Sequence, residues 1–393
     1  GGAGAPAAGR RRAQRDEARQ RAEDGRERPP PRFRGGASKR LKGRGRIDRS
    51  ISQPFSIDRQ QQTGHPGDTL ASALIANGIR VVGRSFKYHR PRGIMTAGSE
   101  EPNALVQVGR GAARVPNVRA TVQELHEGLD VTSQNAWPSL RHDLMAVNDL
   151  FAPFLGAGFY YKTFMWPRSF WEKLYEPAIR RAAGLGSFTP EADPHLHEKA
   201  FAFCDLLVIG AGPAGLMAAL VAGRAGARVI LADEMPAMGG RLRHEARRID
   251  GEPAAAWLDA TLAALADLAN VRLLPRTTVL GAYDHGSFAA VERVADHLPA
   301  ESFGHRPRQR YWQIHARATI LATGAIERGI ALPGNDLPGV MLASAARGYL
   351  HEHAVAGGRK PVVFTTNPTG YAASLELARA GIQVQAVVDP GPV

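Results

Sequence analysis

The stretch Val208-Ile209-Gly210-Ala211-Gly212-Pro213-Ala214-Gly215 constrains this chain more than any other. An apolar run enters it and a small-residue helix leaves it. A second apolar run, Arg228-Val229-Ile230-Leu231-Ala232, then leads to Asp233, eighteen residues beyond Gly215. Strand, glycine turn, helix, strand and acid make the layout that seats the ADP half of a dinucleotide. Gly210 permits a tight turn, Gly212 lets the backbone approach a pyrophosphate, and Gly215 lets the helix pack closely on its strand. The helix N-terminus then faces the phosphates, and Asp233 accepts hydrogen bonds from the adenosine ribose. A GxGxxG turn alone is a weak signal, but here its flanking strand, helix and acid are all present. The residues leave open whether NAD or FAD fills the site.

With 393 residues, the chain is long enough for two or three domains, each with its own core. No apolar stretch approaches the ~20 residues that span a bilayer, and no signal peptide stands out, so a cytoplasmic protein without membrane contact is expected. The single cysteine, Cys204, excludes an internal disulfide and any cysteine-ligated metal centre within this chain. No metal site is expected, and Cys204, at the start of an apolar strand, reads as a buried structural thiol. The net charge of +13 is concentrated at one end: residues 1–50 hold 16 Lys+Arg against 6 Asp+Glu, a net of +10, leaving +3 for the rest. That Gly/Ala/Pro/Arg-rich tail lacks interleaved aromatics and is expected to be disordered. Its distribution argues against nucleic acid as the partner. A non-catalytic assembly or nucleic-acid-binding role through the tail stands as the alternative of another class.

Residues 51–115 read as a small α+β domain of the β-grasp type seen in plant-type 2Fe–2S ferredoxins. A strand at 54–57, a turn at 63–67 and a helix capped by Asp68, with Leu70, Ala73 and Leu74 on one face, precede strands at 81–83 and 104–108. Such a domain carries C-x4-C-x2-C after its Pro-Arg-Gly segment. Counted from Pro91-Arg92-Gly93, those positions hold Met95, Glu100 and Asn103, so the scaffold is expected without an iron–sulfur cluster. Residues 116–200 form an aromatic-rich connector, with Phe151, Phe154, Phe159, Tyr160, Tyr161, Phe164, Trp166, Phe170, Trp171 and Tyr175 in one stretch. These rings suit a ligand channel, a contact surface or packing against neighbouring domains.

The dinucleotide-binding domain is expected over 201–393. After its first βαβ unit come a helix at 254–268, a strand at 271–274, segments 277–283 and 311–316 paired as a meander, and an apolar strand from Ala318 ending at Gly324. A second βαβ unit follows, with strands at 361–364 and 384–388 around a helix at 369–380. Its turn, Thr365-Thr366-Asn367-Pro368-Thr369-Gly370, has one glycine where the fingerprint has three, so no second dinucleotide is expected there in the usual pose. The last strand arrives while a parallel sheet still needs partners, so the domain reads as truncated, part of a longer polypeptide.

Several longer blocks resemble the alpha-subunit family of heterotetrameric sarcosine oxidases, from about Ile47 to Val388. They are Gly83-Arg84-Ser85-Phe86-Lys87-Tyr88-His89-Arg90-Pro91-Arg92-Gly93, Ala97-Gly98-Ser99-Glu100-Glu101-Pro102-Asn103-Ala104, Gly239-Gly240, Tyr283-Asp284-His285, Ala322-Thr323-Gly324-Ala325-Ile326-Glu327-Arg328, and Pro333-Gly334-Asn335-Asp336-Leu337-Pro338-Gly339-Val340-Met341. The resemblance implies an α/β fold. A Rossmann-like dinucleotide-binding domain of the FAD/NAD-linked reductase type follows a cluster-free ferredoxin-like domain, and a folate-binding domain follows both. It implies oxidative demethylation of sarcosine to glycine with O2, giving hydrogen peroxide and formaldehyde or 5,10-methylene-tetrahydrofolate. It places FAD in the beta subunit, FMN at the alpha–beta interface and NAD in alpha. The implied partners are the beta, gamma and delta subunits and tetrahydrofolate.

On this resemblance the NAD is not redox-active, and no catalytic residue is expected in the present segment. With Gly210, Gly212 and Gly215, the resemblance assigns Ala214 to the pyrophosphate and Asp233 to the ribose, with Glu234 and Met235 at the same pocket edge. It assigns Arg241 to the phosphates and the backbone of Val279 to the adenine. The runner-up is an FAD-dependent amine, opine or glycine (cyanide-forming) oxidoreductase subunit with redox-active FAD in the same turn. The cluster Lys87, Tyr88, His89, Arg90 and Arg92 suits FMN phosphate, another subunit or simple solvation. His285, with no nucleophile beside it, reads as a turn residue rather than an acid–base group.

Overall fold

The computed structural model describes residues 40–153, 155, 156, 158 and 166–391. A five-stranded sheet is built from β1 (Gln53–Ile57), β2 (Gln60–Gly64), β3 (Leu105–Val108), β4 (Val115–Arg119) and β5 (Asp130–Ser133), in the order β2-β1-β5-β3-β4. Helix α1 (Leu70–Ala76) is buried along its whole length, and Leu70 and Leu74 pack with Phe55, Val106 and Val131. This is the expected β-grasp arrangement. The sheet nevertheless extends past residue 115, because β4 and β5 belong to it. β5 runs parallel to β1, with Ser56 opposite Asp130, and such distant pairing leaves no local pattern in the sequence. The strand expected at 81–83 is reduced to Gly83–Arg84, paired only with Pro91–Arg92.

Thr69, and not Asp68, caps α1. Its hydroxyl accepts from the Ser72 N–H, and its own N–H donates to Ser72 Oγ. Asp68 is buried one residue earlier, accepting from the His65 N–H and the Ser72 hydroxyl. A carboxylate that deep needs a counter-charge, and Arg40 supplies it. Arg40 also donates to the His353 carbonyl at 2.9 Å, and the Leu41 and Arg46 N–H groups donate to Ala354 and Glu352. Residues 40–46 are therefore docked, contrary to the disorder expected for all of 1–50; the rest of that tail, residues 1–39, lies outside the described residues.

The second sheet contains β6 (His197–Ile209), β7 (Val229–Ala232), β8 (Val271–Leu274), β9 (Thr277–Tyr283), β10 (Ser287–Glu292) and β11 (Gln309–Leu321), in the order β8-β7-β6-β11-β10-β9. The first four in that order are parallel, and β11, β10 and β9 form an antiparallel meander. Two expectations change here. Segments 311–316 and 318–321 are one strand, β11, and β9 pairs with β10 rather than with β11. Helices α2 (Pro213–Arg224) and α3 (Ala254–Ala266) cover one face, with Leu216, Leu220, Leu258 and Leu265 on Val208, Val229 and Leu231. Cys204, Leu207, Ile230, Trp312 and Ile314 fill the other. Burial there pushes the Cys204 thiol up to about 11, and the neighbouring Asp205 charge adds to the rise. That suits a structural thiol.

Helix α4 (Ala343–His353) joins the two domains. Its Tyr349 is enclosed in the ferredoxin-like core and donates its hydroxyl to the Thr96 carbonyl at 2.7 Å. The second βαβ unit follows: β12 (Val362–Phe364), α5 (Pro368–Arg379) and β13 (Ala386–Val388), with β12 and β13 parallel. Arg347 of α4 makes a two-bond ion pair with Glu376 of α5 at 2.7 and 2.6 Å. In the connector, Phe151, Trp166 and Phe170 are exposed, whereas Phe154, Phe159, Tyr160, Tyr161 and Phe164 lie outside the described residues. Among the described residues, no helix is long and apolar enough to cross a membrane.

Candidate dinucleotide site

The turn between β6 and α2 is shaped by what its glycines allow. Gly210 has φ +100°, a conformation L side chains rarely adopt, and a Cβ there would lie 2.4 Å from the Ala322 carbonyl oxygen. A Cβ at Gly215 would lie 1.8 Å from the Gly210 carbonyl oxygen, so only glycine lets α2 sit this close to its strand. Gly212 differs: nothing lies within 4 Å of its Cβ position, which opens into free space. Gly212 is also the N-cap of α2, so no side chain caps the helix, and Pro213 follows as its first residue. The first-turn N–H groups of Ala214 and Gly215 are thus available to an anion, aligned with the positive end of the helix dipole.

Asp233 stands at the end of β7 and closes the turn from the side. Its Oδ2 accepts from the Ala211 N–H at 2.6 Å and its Oδ1 from the Met235 N–H at 2.8 Å. Burial pushes its carboxyl pKa up, the two backbone donors pull against that, and the Glu234 charge raises it further. Each oxygen keeps capacity for another donor. The Thr277 N–H donates to the Asp233 carbonyl at 2.8 Å, which sets the start of β9, and so Val279, beside the acid. The Glu234 carboxylate is turned toward the other domain, where Ser99 Oγ donates to it at 2.7 Å.

A second glycine pair lies over the turn. The Gly239 N–H donates to the Ala211 carbonyl at 2.9 Å, and a Cβ on Gly240 would lie 3.0 Å from Gly212 Cα. Arg241 follows at once, mostly exposed, its Nε 3.2 Å from Glu245 Oε1. The structure thus brings Gly210, Gly212, Ala214, Gly215, Asp233, Met235 and Arg241 around one open turn. Val279 follows two residues after Thr277, which is bonded to the Asp233 carbonyl, and the Glu234 side chain is engaged elsewhere. Sequence reasoning did not find Ser99 as a neighbour of this site, because nothing local links residues so far apart.

Other singled-out residues are matched within the chain. His89 is buried with Nδ1 2.7 Å from Asp143, Arg90 meets Asp149 at 3.0 Å, and Arg92 pairs with Asp336. The Tyr88 hydroxyl donates to the Leu155 carbonyl at 3.0 Å. His285 occupies a tight turn between β9 and β10 at φ +60°.

The ferredoxin-like loop does not fit a cluster. Met95, Glu100 and Asn103 offer no thiolate, and the sole cysteine lies in the other domain. The loop N–H groups of Met95, Thr96, Asn103 and Ala104 instead converge on the Glu101 carboxylate.

Two stretches of the chain match known protein families. Residues 53–136 match a family described as the 2Fe-2S iron-sulfur cluster binding domain, and residues 205–288 match one described as FAD dependent oxidoreductase. The chain is 58% identical over 356 residues to the sarcosine oxidase alpha chain of Rhizobium meliloti (strain 1021), covering 91% of this chain and 36% of that one. An opine oxidase component of Agrobacterium tumefaciens (strain Ach5) is 33% identical over 192 residues, covering 48% of this chain and 37% of its own length. Among solved structures, L-proline dehydrogenase from P. horikoshii superposes with a TM-score of 0.57 at 20% identity, over 87% of this chain and 54% of that one. That likeness speaks for the fold alone. The chain spans about a third of the length of the sarcosine oxidase alpha subunits it matches.

Proposed function

Because the chain belongs to the sarcosine oxidase alpha-subunit family, we propose that it is the NAD-binding part of such a protein. The enzyme oxidatively demethylates sarcosine to glycine with O2, giving hydrogen peroxide and formaldehyde or 5,10-methylene-tetrahydrofolate. Beta, gamma and delta subunits complete the assembly, which is cytoplasmic. FAD resides in beta, FMN at the alpha–beta interface, and tetrahydrofolate outside the present residues.

The observation that carries the reading is the uncapped N-terminus of α2 behind the open Gly212, with the Asp233 carboxylate beside it. When bound, NAD supplies an anionic, adenine-bearing anchor and takes no part in the oxidation. The Ala214 and Gly215 N–H groups donate to its pyrophosphate, which Gly212 lets come close. Asp233 keeps its two backbone donors and accepts the ribose hydroxyls on its remaining lone pairs. Arg241 leaves Glu245 to neutralise phosphate charge. Met235 and the main chain of Glu234 border the ribose, and the Val279 backbone meets the adenine. No residue of this segment is assigned a catalytic role.

A second reading places FAD in the same turn, favoured by the family model matched over 205–288 and by the likeness to the opine oxidase component. Denaturing the purified protein and identifying the released nucleotide separates the two. One NAD per alpha chain is expected, whatever FAD the beta subunit releases. FAD in the alpha chain separated from beta, with no NAD, transfers the site to the second reading, and neither nucleotide in that chain overturns both.

A further inference from the structure

The ferredoxin-like domain touches the dinucleotide domain at the acid loop, residues 233–235. Ser99 Oγ donates to Glu234 Oε1 at 2.7 Å. Arg293 spans the junction, donating to the Val122 carbonyl at 3.0 Å and to the Glu234 carbonyl at 2.6 Å. Arg276, whose N–H donates to the Met235 carbonyl at 3.0 Å, forms a two-bond ion pair with Glu124 at 2.6 and 2.7 Å. The loop beside the ribose-facing acid is therefore gripped from the other domain.

Ser99 belongs to loop 95–104, the segment that holds Met95, Glu100 and Asn103 where a ferredoxin has cysteines. The loop is wound around Glu101, which is 1% exposed. Its Oε2 accepts from the Met95 N–H at 3.0 Å, the Thr96 N–H at 2.7 Å and the Thr96 hydroxyl at 3.0 Å. Its Oε1 accepts from the Asn103 and Ala104 N–H groups at 2.9 and 3.2 Å. A buried carboxylate is tolerated only with such a full set of donors, and the set in turn fixes the loop. The Thr121 hydroxyl also holds the Gly98 carbonyl, at 2.6 Å.

We propose that this loop, organised on a carboxylate instead of a cluster, positions the dinucleotide site: Glu101 fixes the loop, and Ser99 holds the Glu234 carboxylate away from the bound nucleotide. Both are positioning residues, and the proposal rests on the reading of the α2 turn as the NAD site. The reason is electrostatic. Glu234 is adjacent to Asp233 in the chain, so its negative charge opposes a nearby anionic ligand, and the bond from Ser99 keeps that charge turned to the other domain.

The test is the exchange of bound NAD for labelled NAD, followed in the full chain in its native assembly, together with the melting temperature. Ser99→Ala is expected to speed NAD loss roughly tenfold with the melting temperature nearly unchanged, the scale of about one hydrogen bond to a charged group. Ser99→Thr, which keeps the hydroxyl, restores slow exchange. Glu101→Gln is expected to lower the melting temperature and to speed exchange as well. Equal exchange rates in the wild type and Ser99→Ala overturn the positioning role. A wild-type protein that holds no NAD instead overturns the reading of the site beneath it.

Discussion

Helices α2 and α5 start on the same plan. Each follows a parallel strand, each has proline at its first helical position, and each carries a glycine pressed against the turn before it. A Cβ on Gly215 would strike the Gly210 carbonyl oxygen at 1.8 Å, and one on Gly370 would strike Thr365 at 2.3 Å. The N-caps differ. At α5, Asn367 accepts from the Thr369 N–H at 3.0 Å, and Thr365 Oγ1 accepts from the Asn367 N–H at 3.2 Å. At α2 the cap is Gly212, with no side chain to give. One helix satisfies its own N-terminus and the other leaves it to an external anion. A βαβ shape alone therefore does not make a nucleotide site; the residue at the cap decides.

Substitutions at the two turns can break this contrast. The largest effect is expected from Gly215→Val, whose side chain has no space between α2 and its strand. It should cost on the order of 3 kcal/mol or more in chemical denaturation, and a loss below about 1 kcal/mol would contradict the close-packing argument. Asp233→Asn puts an amide among backbone donors and takes away a charged acceptor. NAD binding should weaken about 30-fold, near 2 kcal/mol, by titration calorimetry or nucleotide exchange. Gly212→Ala should leave stability within about 0.5 kcal/mol, as at an unhindered surface site. Its methyl group would stand where the pyrophosphate approaches, so NAD should bind roughly tenfold more weakly. Unchanged affinity would place the nucleotide elsewhere. The smallest effect is expected from Asn367→Ala, which should cost about 1 kcal/mol of stability through the lost cap and leave NAD binding as it is.

The parts of this molecule that were legible in the sequence are those governed by neighbours along the chain. The glycine turn, α2, β7 and Asp233 follow from local spacing, and α3, β8 and α5 fall within a residue or two of their expected ends. Pairings between distant segments were not legible. β5 joins β1 and β3 across a long separation, and β10 takes the place beside β9 expected for β11. The Arg-rich tail concealed a specific contact, since only the fold shows that buried Asp68 needs Arg40. Counting cysteine positions showed that no thiolate stands at those positions, yet it passed over Glu101, two residues before Asn103. The signal was a carboxylate inside a loop of converging backbone N–H groups, and that convergence exists only once the chain is folded.

Hydrogen exchange, comparing NAD-loaded and NAD-free protein, tests the central contrast most directly, because it reports each turn separately. NAD binding is expected to slow exchange at Ala211, Gly212, Ala214, Gly215 and Met235, with Thr369 and Gly370 unchanged. Protection at the α5 turn, or none at the α2 turn, would contradict the contrast.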